Sequence, residues 1–341
     1  MKLVSNPAAV DAVAQSLRTL RRRVRRTSGR PLVLRLANMY LTRANVPEIE
    51  WFAADVLESS GGAVRIKIVD GWTHRRDRDE EASVVAALSR GTVDLGWVGA
   101  RVFGTLGVTA LDPLQAPLLF RDYSAEAAVS AGDLLAGVLE PLGGIGLSGL
   151  AVVPGEMRKP FGLTRPLVTH EDYAGAIIRT HASAVATATF RALGATPVVL
   201  SAAEMAALAP GRVDGMDLHV EAIRGWGLEG HLTFDINLWP RFTVLMASSK
   251  VFSRLGDAEQ RLLRDAAQRA STKGREALAR HESSDRAARP PGVEIIRASD
   301  RDIAELRERV EPVYDGLRRD PEAGGVLREL EAILSATRPA P

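Results

Sequence analysis

Residues 32–98 read LVLRLANMYLTRANVPEIEWFAADVLESSGGAVRIKIVDGWTHRRDRDEEASVVAALSRGTVDLGWV, and this stretch decides the fold class. Apolar residues recur at helical spacing over 47–57 and again over 80–89, and apolar or alternating runs precede and follow each helix. The order strand, helix, strand, helix, strand predicts parallel strands joined by right-handed crossovers in an α/β fold. Ligands of such sheets lie beyond the carboxyl ends of the strands. Here those ends are the loops that begin at Asn38, Asp70 and Trp97.

The rest of the sequence continues this alternation and indicates a second lobe. A chain of 341 residues fits two lobes of ordinary size. Residues 257–288 have a helical pattern throughout, and at about 1.5 Å per residue this helix is more than about 40 Å long. Because that length exceeds one small lobe, we expect the helix to bridge two. Ser201 and Glu204 have capping-box spacing, which predicts a short helix that ends at Pro210.

Composition predicts a soluble chain with a substantial core and excludes cysteine chemistry. Hydrophobic residues make up 46% of the chain and charged residues 25%. No uninterrupted apolar run approaches the roughly 18 to 20 residues that span a bilayer. The absence of cysteine excludes disulfides, thiolate metal sites and cysteine nucleophiles, and it suits an exported protein without requiring export.

Residues 1–31 form a predicted basic leader, disordered or helical. Arginines accumulate in it with no acid among them: Arg18, Arg21, Arg22, Arg23, Arg25, Arg26 and Arg30. Nucleic acid or an anionic membrane could use such a cluster, but no aromatic residues interleave, which favours a solvated leader and no nucleic-acid partner. The arginines resemble the start of a secretion signal, yet no cleavage site follows the short apolar run over 31–39. Either the true start lies upstream, or this copy is not exported.

Motifs for nucleotide, metal or hydrolytic chemistry are weak or missing. Residues 144–149 satisfy G-x-G-x-x-G, but they follow a helix and precede a strand, which predicts a turn. No two of the 6 histidines have the i, i+3 or i, i+4 spacing of metal ligands. There is also no G-x-S-x-G motif. We therefore expect no cofactor, no metal site and no enzymatic activity.

Residues 155–217 contain two arginines placed to hold an anion: GEMRKPFGLTRPLVTHEDYAGAIIRTHASAVATATFRALGATPVVLSAAEMAALAPGRVDGMD. Arg179 ends an apolar strand just before a helix that begins near Ser183, and Arg158 lies in a preceding loop. A guanidinium fork matches both oxygens of a carboxylate, and a helix N-terminus favours negative charge. By residue type alone, pairing with a nearby acid explains each arginine equally well. The nearby acids are Glu156, Glu171 and Asp172.

This stretch resembles the ligand-binding part of the solute receptors of tripartite ATP-independent periplasmic (TRAP) transporters, the dicarboxylate-receptor family. Arg158 stands where the family has glycine-x-arginine, and Arg179 stands where the family has its carboxylate-binding arginine. The sequence LSAAEMAALAPGRVDGMD over 200–217 matches the helix, turn and Asp-Gly that follow. The likeness covers most of the chain from residue 32 to about 315, and near the start it is loose.

The resemblance implies a two-lobed fold of the periplasmic-binding-protein kind, each lobe a sheet flanked by helices, with a long bridging helix. Lobe I would comprise residues 32–155 and about 243–280, lobe II residues 156–242 and about 281–320, and residues 335–341 a frayed tail. Members of the family are not enzymes. They close around a small organic acid and deliver it to a membrane permease, so we expect TRAP permease subunits as partners and a periplasmic or cell-surface monomer. The missing signal leaves a cytoplasmic location open.

We expect six residues to form the ligand site: Arg179, Arg158, Asp217, Tyr40, Trp97 and Trp239. The aromatic side chains lie near predicted strand ends and the crossing between lobes, where packing in the core explains them equally well. The family commonly has Glu and then Asn where this chain has Asp217 and Leu218, so an amide is missing from the wall of the site. The residues DGWTHRRDRDE also replace a glycine-rich turn of the family.

Two other functions stay open at the level of sequence. One is an enzyme on a similar two-lobed scaffold, although the chain offers no convincing general base, nucleophile or metal set. The other is a cytosolic sensor that binds the acid and signals to a protein partner.

Overall fold

The computed structural model describes residues 30–40, 42–43, 46–72, 79–201, 204–205, 211–287 and 290–337. Most of the predicted basic leader therefore lies outside the described residues. The strands are β1 Leu32–Ala37, β2 Val64–Val69, β3 Leu95–Gly99, β4 Leu147–Val153, β5 Met157–Gly162, β6 Ile177–Thr180, β7 Thr196–Val199, β8 Gly215–Leu218, β9 Gly230–Thr233, β10 Trp239–Pro240, β11 Thr243–Ser248 and β12 Val293–Ile296.

The α-helices surround two separate sheets. They are α1 Pro47–Ser59, α2 Glu80–Arg90, α3 Tyr123–Ala131, α4 Leu134–Gly137, α5 His170–Tyr173, α6 Ala184–Ala192, α7 Val220–Trp226, α8 Ser249–Phe252, α9 Asp257–Ala287, α10 Asp300–Arg309, α11 Glu311–Arg319 and α12 Pro321–Ala336. Three short 3₁₀ helices occur at Ala100–Leu106, Thr109–Gln115 and Glu140–Ile145. The last of these is capped by Gly146 and leads directly into β4. Residues 144–146 therefore form the predicted turn, whereas residues 147–149 belong to the strand.

The first sheet has the strand order β2-β1-β3-β11-β4. Strand β1 is parallel to both β2 and β3, as the sequence predicts, whereas β11 is antiparallel to β3 and β4. The carboxyl ends of the three parallel strands meet: Asn38 donates its side-chain amide to Asp70 at 2.9 Å and accepts the indole N–H of Trp97 at 3.3 Å. The three loops singled out in the sequence therefore share one edge of this sheet.

The second sheet has the order β12-β9-β5-β8-β6-β7, with β10 paired to β5. Strand β6 is parallel to β7 and β8, and β5 is antiparallel to β8 and β9. Hydrophobic cores cover both faces of this sheet, one built around Phe190 and Trp239 and the other around Phe161 and Leu232. The molecule is thus a two-lobed α/β structure, as predicted.

Local sequence signals determine where helix α2 begins and ends, and its packing on β3 determines its position beside the interlobe region. The side chain of Asp79 caps the helix by accepting the N–H of Ala82, and Gly91 ends it with a φ of 76° that favours glycine. Leu88 packs so tightly on Gly96 of β3 that an added Cβ would lie 2.9 Å from it. This packing places the first turn of α2 beside the end of β3.

The chain crosses between the sheets at residues 154–156, at 241–242 and after α9. The first two crossings touch, because the N–H of Arg241 donates to the carbonyl of Glu156 at 3.1 Å. Gly155 allows this approach, since a Cβ there would lie 2.5 Å from the carbonyl oxygen of Arg241.

The long helix α9 has 31 residues and packs against α1, α3 and β4 of the first lobe. Leu263, Ala266 and Ala270 are buried in the first core. The strand that follows, β12, belongs to the second sheet, so the helix connects the lobes as predicted.

Helix α12 makes a connection that the sequence does not predict. Leu330 and Leu334 are buried in the core of the first lobe, while Ala323 and Leu327 are buried in a core of the second. Because of this packing the helix continues to Ala336, so the prediction of a frayed tail is wrong for residues 335 and 336. Residues 338–341 lie outside the described part of the chain.

The predicted capping box of the helix before Pro210 is present. Ser201 donates its N–H to Glu204 at 2.8 Å, and Glu204 donates its N–H to the Ser201 hydroxyl at 3.2 Å. Residues 202–203 and 206–210 of the predicted helix lie outside the described residues.

Within the described ranges no single helix is long and apolar enough to span a bilayer. Tyr123–Ala131 and Leu134–Ile145 together meet that length and composition, with a bend of 70° between them. Most of their large apolar side chains are buried in the first core.

We expect Gly155→Ala to lower the free energy of unfolding by about 1–3 kcal/mol, because the new methyl group must push the two crossing segments apart. Urea denaturation measures this loss. Gly325→Ala is the control, since an added Cβ at this helical position meets nothing within 4 Å and alanine favours the helix. Equal stability of the two variants would contradict the close packing at residue 155.

Candidate functional site

Two adjoining cavities lie between the lobes at the ends of β3 and β6. They have volumes of about 80 and 220 Å³ and share Tyr40, Glu81, Arg101, His181 and Trp226 in their walls. Larger hollows of about 420 and 540 Å³ occur beside the C-terminal helices and along β4. Every arginine that lines those larger hollows is exposed, whereas the interlobe cavities contain buried arginines, so we place the candidate site between the lobes.

Arg179 is held by the backbone, and one of its donors is unpaired within the described part of the chain. Its Nε and Nη2 atoms donate to the carbonyl of Leu200 at 2.9 and 2.7 Å, while no described residue accepts a hydrogen bond from the buried Nη1. The side chain is 2% exposed and lines the smaller cavity. Burial lowers the pKa of Arg179 to about 10, which still leaves the group charged at neutral pH.

Arg158 is paired inside the protein. Its Nε donates to Oδ2 of Asp217 at 2.5 Å, its Nη2 donates to the backbone carbonyl of Asp217 at 2.6 Å, and Nη2 lies 3.3 Å from Nδ1 of His181. The antiparallel pairing of β5 with β8 brings these residues together. Arg158 lines the larger cavity, whereas Asp217 lies behind it and lines neither cavity.

Arg101 and Glu81 are site residues that the sequence analysis missed. Nη2 of Arg101 lies 2.9 Å from Oε2 of Glu81, and Oε1 of Glu81 accepts the N–H of Gly99 at 2.7 Å. The Nε atom of Arg101 is buried and finds no hydrogen-bond partner in the described part of the structure. Arg101 lies two residues after the end of β3. The sequence signal for it was therefore its place in the predicted ligand-binding loop that begins at Trp97.

Arg241 is another residue that the sequence does not single out. It lies in a crossing segment and lines the larger cavity. Its Nη2 lies 3.2 Å from Glu156 and 3.9 Å from Glu48. Burial opposes its charge, but Glu156 and Glu48 more than offset this and raise the pKa of Arg241 above its ordinary value. No local sequence pattern marks this residue, because its partners come from distant segments.

Two buried histidines supply neutral polar groups. Burial lowers the pKa of His181 well below its usual range, and the neighbouring arginines Arg101, Arg179 and Arg158 lower it further. Burial likewise lowers the pKa of His219 to about 4. Both rings line the larger cavity and are uncharged at neutral pH.

The predicted aromatic residues occupy different positions. Tyr40 and Trp97 pack edge to face at 5.4 Å and line the larger cavity. Trp239 lies deeper, against Phe190 at 5.8 Å, and lines neither cavity. Trp226, which the sequence analysis missed, is 40% exposed at the mouth, with its ring centroid 5.9 Å from the Arg179 guanidinium.

The structure therefore brings Arg158, Arg179, Tyr40 and Trp97 to the cavities, and it places Asp217 and Trp239 behind them. Among the described residues no group of three or more His, Asp or Glu side chains is arranged to hold a metal ion. The site is a polar cavity rich in arginine, suited to an anion.

We expect Asp217→Ala to lower the free energy of unfolding by about 3–5 kcal/mol, because it leaves the buried Arg158 guanidinium unpaired. The matched control is Glu221→Ala, which breaks the exposed pair with Arg224 and should cost less than about 1 kcal/mol. Denaturant titration of both variants measures these losses of unfolding free energy. Similar losses would show that the buried ion pair stabilises the protein no more than the exposed one.

His219 should make the fold less stable in acid. Folding lowers the pKa of His219 from 6.5 to about 4. The contribution of the neutral ring to the free energy of unfolding is therefore fully present above pH 6.5 and is lost as the pH falls toward 4. This loss amounts to about 3 kcal/mol. His219→Asn keeps an acceptor for the N–H of Ala222, so the variant should lose correspondingly less unfolding free energy over this range. Parallel pH dependence of the two proteins in urea titrations would contradict the buried neutral ring.

Comparison with known proteins identifies relatives over most of the chain. Residues 44–320 match the DctP family, described as bacterial extracellular solute-binding protein, family 7. The C4-dicarboxylate-binding periplasmic protein DctP of Rhodobacter capsulatus is 31% identical over 159 residues, which is 46% of this chain and 46% of that protein. The match thus spans a little under half of this relative.

Solved structures with the same fold come from the same group of proteins. A TRAP periplasmic solute-binding protein of Ochrobactrum anthropi, with its C-terminus bound in the ligand-binding pocket, has a TM-score of 0.76 and 27% identity, covering 91% of this chain and 96% of its own. The Polaromonas protein bound to D-erythronate has a TM-score of 0.77 and 21% identity, covering 88% and 98%. The Sulfitobacter protein with β-D-galacturonate has a TM-score of 0.75 and 19% identity, covering 88% and 99%.

The last two structures show the shared fold, and the family match extends over both lobes. The chain belongs to the DctP family of bacterial extracellular solute-binding proteins, family 7.

Proposed function

We propose that this protein is the extracytoplasmic receptor of a TRAP-type transporter, which binds a small organic acid between its lobes and releases it unchanged to membrane permease subunits. The observation that carries this proposal is the buried Arg179 guanidinium, whose Nη1 has no hydrogen-bond partner among the residues that the structure describes. The family description and the acids named for related proteins support the same class of ligand.

The hydrogen bonds of Arg179 determine how an acid would approach it. A guanidinium has five N–H donors, and the Leu200 carbonyl accepts on the edge formed by Nε and Nη2. The edge formed by Nη1 and Nη2 remains for the two oxygens of a carboxylate. The Leu200 carbonyl thus fixes the plane of the fork before the ligand arrives, which lowers the entropic cost of binding.

Arg179 cannot supply all of the binding energy. Charge-assisted hydrogen bonds contribute about 1.5–3 kcal/mol each, whereas micromolar affinity requires about 8 kcal/mol. The remainder must come from contacts with both lobes and from the exclusion of water. Tyr40 and Trp97 of the first lobe and Trp226 of the second supply apolar surface at the cavity walls.

The walls of the site favour binding over chemistry. Three of its arginines are tied to carboxylates, both of its histidines are neutral, and His181 is surrounded by arginines. Such fixed groups orient an anion, and opening of the lobes would release it unchanged.

We expect Arg179→Lys to weaken binding of an organic acid roughly 10- to 100-fold, because an ammonium cannot reproduce the two parallel hydrogen bonds of the fork. Isothermal titration calorimetry with acids selected by a thermal-shift screen measures the change. Arg191→Lys, at an exposed position of the same lobe, is the control and should bind like the wild type. Equal affinity of Arg179→Lys and wild type would remove Arg179 from the site.

A further inference from the structure

Four arginines line the two cavities, and the described residues supply a carboxylate partner for three of them. Arg101 pairs with Glu81, Arg158 with Asp217, and Arg241 with Glu156. Arg179 forms no ion pair with any described residue and bonds only a backbone carbonyl. Of these four arginines, Arg179 is thus the one that pairs with no carboxylate of the described residues, although the half-buried Asp79 and Glu80 also line the smaller cavity.

Glu81 is the buried acid of the cavity walls. It lies in the first turn of α2, is 7% exposed and lines both cavities. Asp79 and Glu80 are half-buried and line only the smaller cavity, and Asp217 and Glu156 line neither. Both of its oxygens are occupied, one by Arg101 and the other by the N–H of Gly99. These bonds hold the carboxylate in the wall and prevent it from turning away when a ligand enters.

We infer, on the basis of the binding function proposed above, that Glu81 restricts the site to acids with a single carboxylate group and a hydroxylated body. A first carboxylate meets the unmatched charge of Arg179. A second carboxylate in the same small cavities would lie close to Glu81 in a region that excludes water, where the repulsion between like charges is poorly screened. Rejection by a fixed like charge is a direct means of specificity.

Beside Arg158 and Arg241, the larger cavity is lined by uncharged polar side chains that suit hydroxyl groups: Tyr40, Thr42, His181, His219 and Thr243. The buried Nε of Arg101 is a further donor, with no hydrogen-bond partner in the described ranges, and it comes from the lobe opposite Arg179. A hydroxyl oxygen next to the carboxylate can accept from this donor, so a hydroxy acid engages both lobes with one negative charge.

The test compares acids that differ only in the second carboxylate. D-Erythronate and meso-tartrate have the same four-carbon chain and the same arrangement of inner hydroxyls, and D-gluconate and D-glucarate form a six-carbon pair. Calorimetry should show that the wild type binds the monoacid of a pair at least about tenfold more tightly than the diacid.

Substitution of Glu81 should reverse this selectivity. Glu81→Gln retains the size of the side chain and an acceptor for Gly99, but it leaves Arg101 unmatched, so the preference for the monoacid should fall at least about tenfold through tighter binding of the diacid. Glu58→Gln, an exposed acid outside the site, should leave the ratio unchanged.

The outcomes separate this inference from the receptor function. Tighter binding of a diacid by the wild type, or an unchanged ratio in a Glu81→Gln protein whose circular dichroism shows the native fold, overturns the role of Glu81. If that diacid binding is lost in Arg179→Lys, the receptor function stands without the proposed selectivity. Binding of neither acid of either pair would count against the receptor function as well.

Discussion

Four guanidinium groups are buried where the two lobes meet, and the balance of their charges governs the arrangement of the surrounding residues. A buried charge without a partner costs several kcal/mol, so each group requires a compensating acid or a set of hydrogen bonds. Three receive a carboxylate from the protein itself. Among the described residues, the fourth, on Arg179, receives only the carbonyl of Leu200. Under the function proposed above, the carboxylate of an organic acid would supply the charge that this group lacks.

The two crossing segments connect this charge balance to the movement of the lobes. Arg241 lies between β10 of the second sheet and β11 of the first, and its partner Glu156 lies in the other crossing. The ion pair and the close approach at Gly155 hold the crossings together as one unit. If the lobes close as the proposed function requires, we therefore expect these two joined segments to move together as one hinge.

Much of the fold follows from local sequence patterns. The parallel order of β1, β2 and β3 and the extent of α9 were predictable, because periodicity and terminal residues act over a few positions. The candidate site was only partly predictable. Arg179 has a local signature, since it ends a strand beside a helix start. The pairing of Arg158 with Asp217 depends on which strands become neighbours, and periodicity carries no information about contacts between residues 59 positions apart.

Helix α12 has a mechanical consequence. It is seated in the cores of both lobes, with Leu330 on one side and Leu327 on the other. Packed cores resist sliding, because a shift of even a fraction of a side chain opens voids. The C-terminal helix therefore ties the two halves of the molecule together, and we expect it to limit how far they separate when the proposed ligand enters or leaves.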